Sequence, residues 1–251
     1  MNLDNLIAAG AEKKVYRDGD HIIKVFEPSY DKTVVLNEAL NNARVEGIGL
    51  NVPKLEAVEV IDGKWAIISQ FIEGKTLSDM MHEHPEQEDV LMSRFVSIQM
   101  DILAKSCPLL NPLTEKLQKR ISASGLEATT RYDLHCRLDS MKVHTKVCHG
   151  DFYPTNVIIT PNDEAYILDW NHAAQGNAAA DVAETYIALW LNGRPKRAEL
   201  YLNLYCAKSD TAKQYVQKWI PIVAAAHLAR PNLTDEARML LRSWADVVDY
   251  Q

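Results

Sequence analysis

The stretch Val147-Cys-His-Gly-Asp-Phe-Tyr-Pro-Thr-Asn-Val-Ile-Ile-Thr160, answered by Tyr166-Ile-Leu-Asp-Trp170, decides how this chain is read. It holds two carboxylates, Asp151 and Asp169, and one carboxamide, Asn156. Two short apolar runs, residues 157–159 and 166–168, flank Pro161-Asn162-Asp163, a trio that favours chain reversal. The pattern predicts a loop feeding a β-hairpin. Because the second strand runs back antiparallel, Asp169 is expected to return to the end that carries Asp151 and Asn156. Hard oxygen donors in that pattern suit Mg²⁺, which takes few protein carboxylates beside substrate phosphates. The remaining carboxylate, Asp151, is then placed to accept a proton from a hydroxyl.

These residues resemble the pattern of the aminoglycoside phosphotransferase and choline kinase family, the small-molecule branch of the protein-kinase-like fold. The match is His149-Gly150-Asp151, then Asn156, then a strand ending in Asp169-Trp170. The resemblance implies Asp151 as the catalytic aspartate and Asn156 and Asp169 as holders of Mg²⁺, with ATP or GTP as the phosphoryl donor. It also implies an α+β, bilobal architecture: a small N-terminal antiparallel-sheet lobe over residues 1–72 and a larger, mainly helical lobe over residues 73–251. The first would hold the nucleotide, the second the catalytic loop and the acceptor.

Composition agrees with an enzyme of this size. The 251 residues are 47% apolar and 24% charged, enough for a sizeable core. No apolar run of about 18 residues suggests a membrane span, and the first ten residues lack the basic-then-apolar order of a secretory signal. Cys107, Cys136, Cys148 and Cys206 show no Cys-x-x-Cys spacing, so reduced thiols and a cytoplasmic location are expected. Cys148 beside the loop reads as a buried filler, not a nucleophile. A net charge of −7 argues against nucleic acid as a partner. The charge is uneven: residues 195–251 hold 8 Lys/Arg against 6 Asp/Glu.

Along the chain, residues 5–27 read as β-structure with an Asp18-Gly19 turn. The reversal Ala9-Gly10-Ala11-Glu12 stands where protein kinases carry a glycine-rich loop, yet it has one glycine. Lys24 interrupts the apolar run Ile22-Ile23-Lys24-Val25-Phe26, on the strand face opposite Ile23 and Val25. A surface lysine is one reading. The resemblance gives the other, a contact to the α/β-phosphates with a glutamate partner from the helix expected over 31–47. Glu38 is that candidate and Glu46 the alternative. A second Asp-Gly hairpin follows at Asp62-Gly63, and Gln70, Phe71 and Ile72 fall where such kinases bind the adenine through main-chain groups. Leu168, before Asp169, is assigned to the same nucleotide site.

Periodicity predicts helices over 88–105 and 178–190, and shorter ones are expected over 113–122 and 130–141. Three more are expected over 196–206, 211–228 with a kink at Pro221, and 235–248. Asp181 falls in the first turn of its helix, a favourable place for a carboxylate. The resemblance adds that it braces the catalytic loop. Only about a dozen residues separate Asp169 from that helix, too few for the peptide platform of protein kinases. A small hydroxyl-bearing acceptor is therefore expected, and the basic tail speaks against a strongly cationic one such as an aminoglycoside. The rival readings are a nucleotide-binding pseudokinase scaffold and a small atypical protein kinase.

Overall fold

Both Asp-Gly pairs do what their backbone freedom allows. Gly19 has φ +58°, and Asp62 and Gly63 have φ +49° and +76°, the left-handed turn that fits the twist of a hairpin. In the computed structural model, which describes residues 2–10 and 12–246, these turns join strands of one antiparallel sheet. Its strands are β1 (Leu6–Ala9), β2 (Lys13–Asp18), β3 (His21–Phe26), β4 (Leu55–Ile61) and β5 (Lys64–Gln70), in the order β1-β2-β3-β5-β4. Between β3 and β4 lies helix α1 (Lys32–Glu46), started by Asp31, whose carboxylate accepts the Thr33 N–H at 2.7 Å. Alternation sorts the faces. Ile23, Val25, Ala66 and Ile68 pack on one side, while Phe26 and Ile67 pack with Val35 and Ala39 of α1 on the other.

The chain then runs through β6 (Lys75–Thr76), α2 (Leu77–Glu83), α3 (Glu88–Leu103), α4 (Leu113–Ser122), α5 (Ala128–Ser140) and β7 (Lys146–Cys148). The expected hairpin follows as β8 (Val157–Ile159) and β9 (Ala165–Ile167), then β10 (Ala174–Gly176) pairs with β7. The last elements are α6 (Ala178–Leu191), α7 (Pro195–Ser209), α8 (Lys213–Gln217), α9 (Ile220–Leu228) and α10 (Asp235–Ala245).

Three sequence expectations are corrected. The single kinked helix over 211–228 is two helices, because Pro221 occupies the first turn of α9, where its missing N–H is tolerated. Strand β9 ends at Ile167, before the Asp169-Trp170 end expected of it, because the backbone turns left-handed at Asp169, φ +60°. The final helix ends at Ala245, where the Asp246 N–H bonds back to Arg242, and its expected extension to 248 runs outside the described residues. Ala11, in the expected Gly10 reversal, also lies outside them. Gly10 itself donates its N–H to Lys13 O at 2.8 Å, a tight turn between β1 and β2.

Packing divides the chain into two compact units, residues 1–86 with 154–172, and residues 87–153 with 173–251. The division expected at residue 72 falls inside the first unit, because β6 joins β8 and β9 in a small sheet. Gly74 is required there: a Cβ on it would lie 2.3 Å from the Ile159 carbonyl oxygen. In the second unit α6 is buried along nearly its whole length, and a polar network crosses it. Gln99 Nε2 donates to Asp181 at 3.1 Å and to Thr185 at 3.3 Å, and the Tyr201 hydroxyl donates to Gln99. Among the described residues no helix is long and apolar enough to cross a membrane.

Candidate active site

The β3 register puts Lys24 opposite Val15 of β2 and Ile67 of β5, on the face that α1 covers. From there its ammonium donates to Glu38 of α1, and both side chains are largely buried. The alternative partner, Glu46, is engaged elsewhere: it accepts from the Leu55 N–H at 2.6 Å and from Asn42 at 3.0 Å. Lys24 also stands 3.7 Å from Asp169 Oδ1, while Lys13 of β2 donates to Asp169 Oδ2 at 3.1 Å. Burial pulls the Lys13 ammonium down, but the nearby Asp169 and Glu38 charges outweigh it and leave Lys13 above the usual lysine range.

Asp169 is carried on a left-handed backbone, φ +60°, which Asp tolerates better than most non-glycine residues and which neighbouring bonds can hold in place. Here they do. The Leu168 N–H bonds to Asn156 O at 2.8 Å, the Trp170 indole donates to Ile167 O at 3.1 Å, and Asn41 of α1 donates to Trp170 O at 3.3 Å. Asn156 and Asp169 are thus fixed at one end of the β8–β9 hairpin, as the sequence pattern predicts.

These side chains line a cavity of about 370 Å³ inside the first unit, a size suited to a cofactor or small ligand. Lys24, Glu38, Gln70, Phe71, Ile72, Asn156, Leu168 and Asp169, all singled out from sequence, border it. The Gln70 and Phe71 N–H groups bond to Lys54 O and Asp20 O, and the Arg17 guanidinium lies 3.7 Å over the Phe71 ring. Lys13 also borders the cavity and was missed from sequence. Strand alternation pairs it with Val15, but only the β2–β3 register tells which of Lys13 and Lys14 faces inward.

The donor set fits Mg²⁺. One carboxylate and one carboxamide oxygen make a sparse hard-oxygen pair of the kind the ion uses beside phosphate oxygens. The Asp169 carboxylate already attracts cations, as its two lysine neighbours show. Among the described residues no cluster of three or more His, Cys, Asp or Glu offers an all-protein cage.

Asp151 belongs to the second unit, on the loop after β7. Gly150, at φ +75°, donates its N–H to Asp181 Oδ1 at 2.7 Å. Thr185 donates to Phe152 O at 3.1 Å, and the Asp151 N–H donates to Nδ1 of the fully buried His149 at 3.3 Å. The Phe152 ring stacks on Phe95 at 4.4 Å. Burial pushes the Asp181 carboxyl up, against the bond from Gly150 and the neighbouring His149. Asp181 thus fastens the loop main chain, while Gln99 and Thr185, unmarked in the sequence, complete the fastening. Cys148 is fully buried and its thiol is pushed up by burial, as suits a filler.

A family profile described as "Phosphotransferase enzyme family" matches residues 5–218. Among solved structures, a thermostable mutant of aminoglycoside phosphotransferase APH(4)-Ia, in ternary complex with AMP-PNP and hygromycin B, aligns with TM-score 0.69 at 16% identity over 98% of this chain and 93% of that one. Aminoglycoside-3'-phosphotransferase of type VIII aligns with TM-score 0.65 at 15% identity over 92% and 93%. Choline kinase LicA from Streptococcus pneumoniae aligns with TM-score 0.64 at 16% identity over 98% and 92%. At such identities the likeness speaks to the fold. No curated protein is a significant sequence match.

Proposed function

Because the chain belongs to the phosphotransferase enzyme family, we propose that it moves the γ-phosphoryl of ATP or GTP, with Mg²⁺, to a hydroxyl of a small molecule. The observation that carries this reading is the meeting of Lys24, Glu38, Lys13, Asn156 and Asp169 on one cavity of nucleotide size. A solved neighbour holding AMP-PNP and hygromycin B supports the pairing of a nucleotide with a small acceptor. Among the described residues Cys107, Cys136, Cys148 and Cys206 form no disulfide, which suits the cytoplasm, where we place the enzyme.

In this reading the first unit, residues 1–86 with 154–172, holds the nucleotide, and the second, which carries Asp151, holds the acceptor. Lys24, held by Glu38, contacts the α/β-phosphates. With the Gln70 and Phe71 N–H groups engaged inside the unit, the purine edge is left to Ile72 and the carbonyls of the segment, with Leu168 against the ring. Asn156 and Asp169 would hold Mg²⁺, which when bound neutralises charge on the phosphates. Asp151 orients the acceptor hydroxyl and takes its proton. The hydroxyl oxygen forms a bond to the γ-phosphorus, the β,γ-bridging P–O bond breaks, and the nucleoside diphosphate leaves. Positioning and electrostatics carry such a transfer.

The test is acceptor-dependent ADP release across an acceptor panel, with Asp151→Ala as the blank. That variant is expected to bind nucleotide like the wild type while losing turnover. Wild-type turnover in Asp151→Ala would sink the assignment. Asp169→Ala is expected to lose the Mg²⁺-dependent part of nucleotide binding, and an unchanged affinity would remove its ligand role.

A further inference from the structure

Each oxygen of the Asp169 carboxylate faces an ammonium. Lys13 Nζ donates to Oδ2 at 3.1 Å, and Lys24 Nζ stands 3.7 Å from Oδ1. The two lysines come from neighbouring strands and share one face of the sheet. In the β2–β3 register Lys13 lies opposite Phe26, which packs against α1, and Lys24 lies opposite Val15. Lys14, one residue on, lies opposite Val25 of the other face and is exposed.

The two ammoniums are held in different ways. Lys24 donates to Glu38, and both side chains are well covered, at 18% and 7% exposure. Moving Lys24 would strand a buried carboxylate, which is costly. Lys13 is 34% exposed and begins β2, directly after the turn in which Gly10 bonds to its carbonyl. Its ammonium rides on a flexible four-carbon stem, so it can change partner while the strand stays in register.

The cluster is balanced: two ammoniums, Lys13 and Lys24, against two carboxylates, Glu38 and Asp169. A divalent cation that comes alone to Asp169 adds positive charge to a neutral, partly buried group and meets both ammoniums there. A cation that comes on a nucleotide brings phosphate oxygens, which offer a displaced ammonium a new anionic partner.

We propose that Lys13 occupies the metal's place on Asp169 and yields it when Mg²⁺ comes with a nucleotide, whose phosphates then take the Lys13 ammonium. Lys13 is thus a positioning residue that couples metal binding to nucleotide binding, while Lys24 stays on Glu38 throughout. This rests on the phosphotransferase reading above and adds an order of binding to it.

Two constants test the proposal: the Kd of Mn²⁺ alone, read by electron paramagnetic resonance, and the Kd of fluorescent ADP at saturating Mg²⁺. Lys13→Met is expected to move them in opposite directions, tightening Mn²⁺ about threefold or more and weakening the nucleotide about tenfold or more. Lys14→Met removes the same charge from the other face and is expected to change neither. The double variant Lys13→Met/Asp169→Asn should lose the gain in Mn²⁺ affinity, which places the competition at this carboxylate. Thermal unfolding confirms that folded proteins are compared, and Lys13→Gln replaces Lys13→Met if the latter does not fold. Mn²⁺ binding that is unchanged or weaker in Lys13→Met would overturn the proposal. So would an unchanged nucleotide affinity, or equal shifts in Lys14→Met, which would reveal a mere effect of net charge. If the wild type binds no ADP, the phosphotransferase reading falls. The Mn²⁺ measurement then still decides: tightening in Lys13→Met keeps the competition at Asp169, and no change ends it.

Discussion

Lys13 places its ammonium 3.1 Å from Oδ2 of Asp169, a residue 156 positions further along the chain. The contact joins the second strand of the sheet to the end of the β8–β9 hairpin. It puts a second lysine beside Lys24 at the cavity, in a chain whose Ala9–Glu12 stretch has a single glycine, Gly10. A glycine-rich loop binds phosphates through main-chain N–H groups. Here a side-chain cation stands ready for part of that work.

Lys13→Met is accordingly expected to raise the nucleotide Kd about tenfold or more, the scale of a lost hydrogen bond to a charged group, about 1.5–3 kcal/mol. Fluorescent-nucleotide titration reads this directly. An unchanged Kd would reduce Lys13 to a structural counter-charge for Asp169.

The Lys24–Glu38 pair is buried enough that removing one partner exposes the other's desolvation. Glu38 Oε2 already has no hydrogen-bond partner among the described residues. Lys24→Met is expected to lower stability by about 3 kcal/mol in urea unfolding. The double variant Lys24→Met/Glu38→Leu should recover most of that loss while nucleotide binding stays weak. Full recovery of binding in the double variant would show that the pair serves the fold alone.

Glu184 gives the stability a dependence on acid. Burial opposes its ionisation, but His227, Arg230 and Arg120 outweigh burial and hold its carboxyl well below the usual glutamate range. A depressed carboxylate contributes stability that is present above its unfolded value, 4.5, and is lost as pH falls toward the folded one. Glu184→Gln should therefore cost about 3 kcal/mol at pH 7, and the gap to the wild type should close as pH drops below 4.5. Thermal unfolding of both proteins between pH 3 and 8 measures it, and a gap independent of pH would refute the charge argument.

Two glycines separate crowding from freedom. Gly74→Ala would drive a Cβ into the Ile159 carbonyl oxygen, 2.3 Å away, and is expected to lower stability by about 3 kcal/mol. Gly47 closes α1 at φ −81° with open space where its Cβ would go. There Gly47→Ala should be neutral or stabilise by about 0.5 kcal/mol, through the unfolded chain. Equal effects at the two positions would contradict the close approach of residue 74 to β8.

Much of the fold was legible because its signals are local. Asp-Gly pairs favour left-handed backbone, so the ends of β2, β3, β4 and β5 that meet at these two turns are marked in the sequence. Helix α4 fills its expected span, Leu113–Ser122, to the residue. At 221 the sequence told only that a helix is disturbed; whether proline bends one helix or begins another depends on what the flanking turns pack against. The hairpin from Val157 to Ile167 was readable for the same local reason, and with it the meeting of Asn156 and Asp169.

The sequence by itself determined which residue types carry the chemistry: Asp151, Asn156 and Asp169 at fixed spacing, with Lys24 in an apolar strand. Tertiary structure decided everything that depends on register and burial. It chose Glu38 over Glu46, turned Lys13 and not Lys14 inward, and used Gln99 and Thr185 to fasten the Asp151 loop. It also set Lys116 and Arg120 beside that loop. Charge counts along a chain carry no distances. Coulomb energies and desolvation depend on distance and cover, and only the packed α4, α6 and β7 loop supply those.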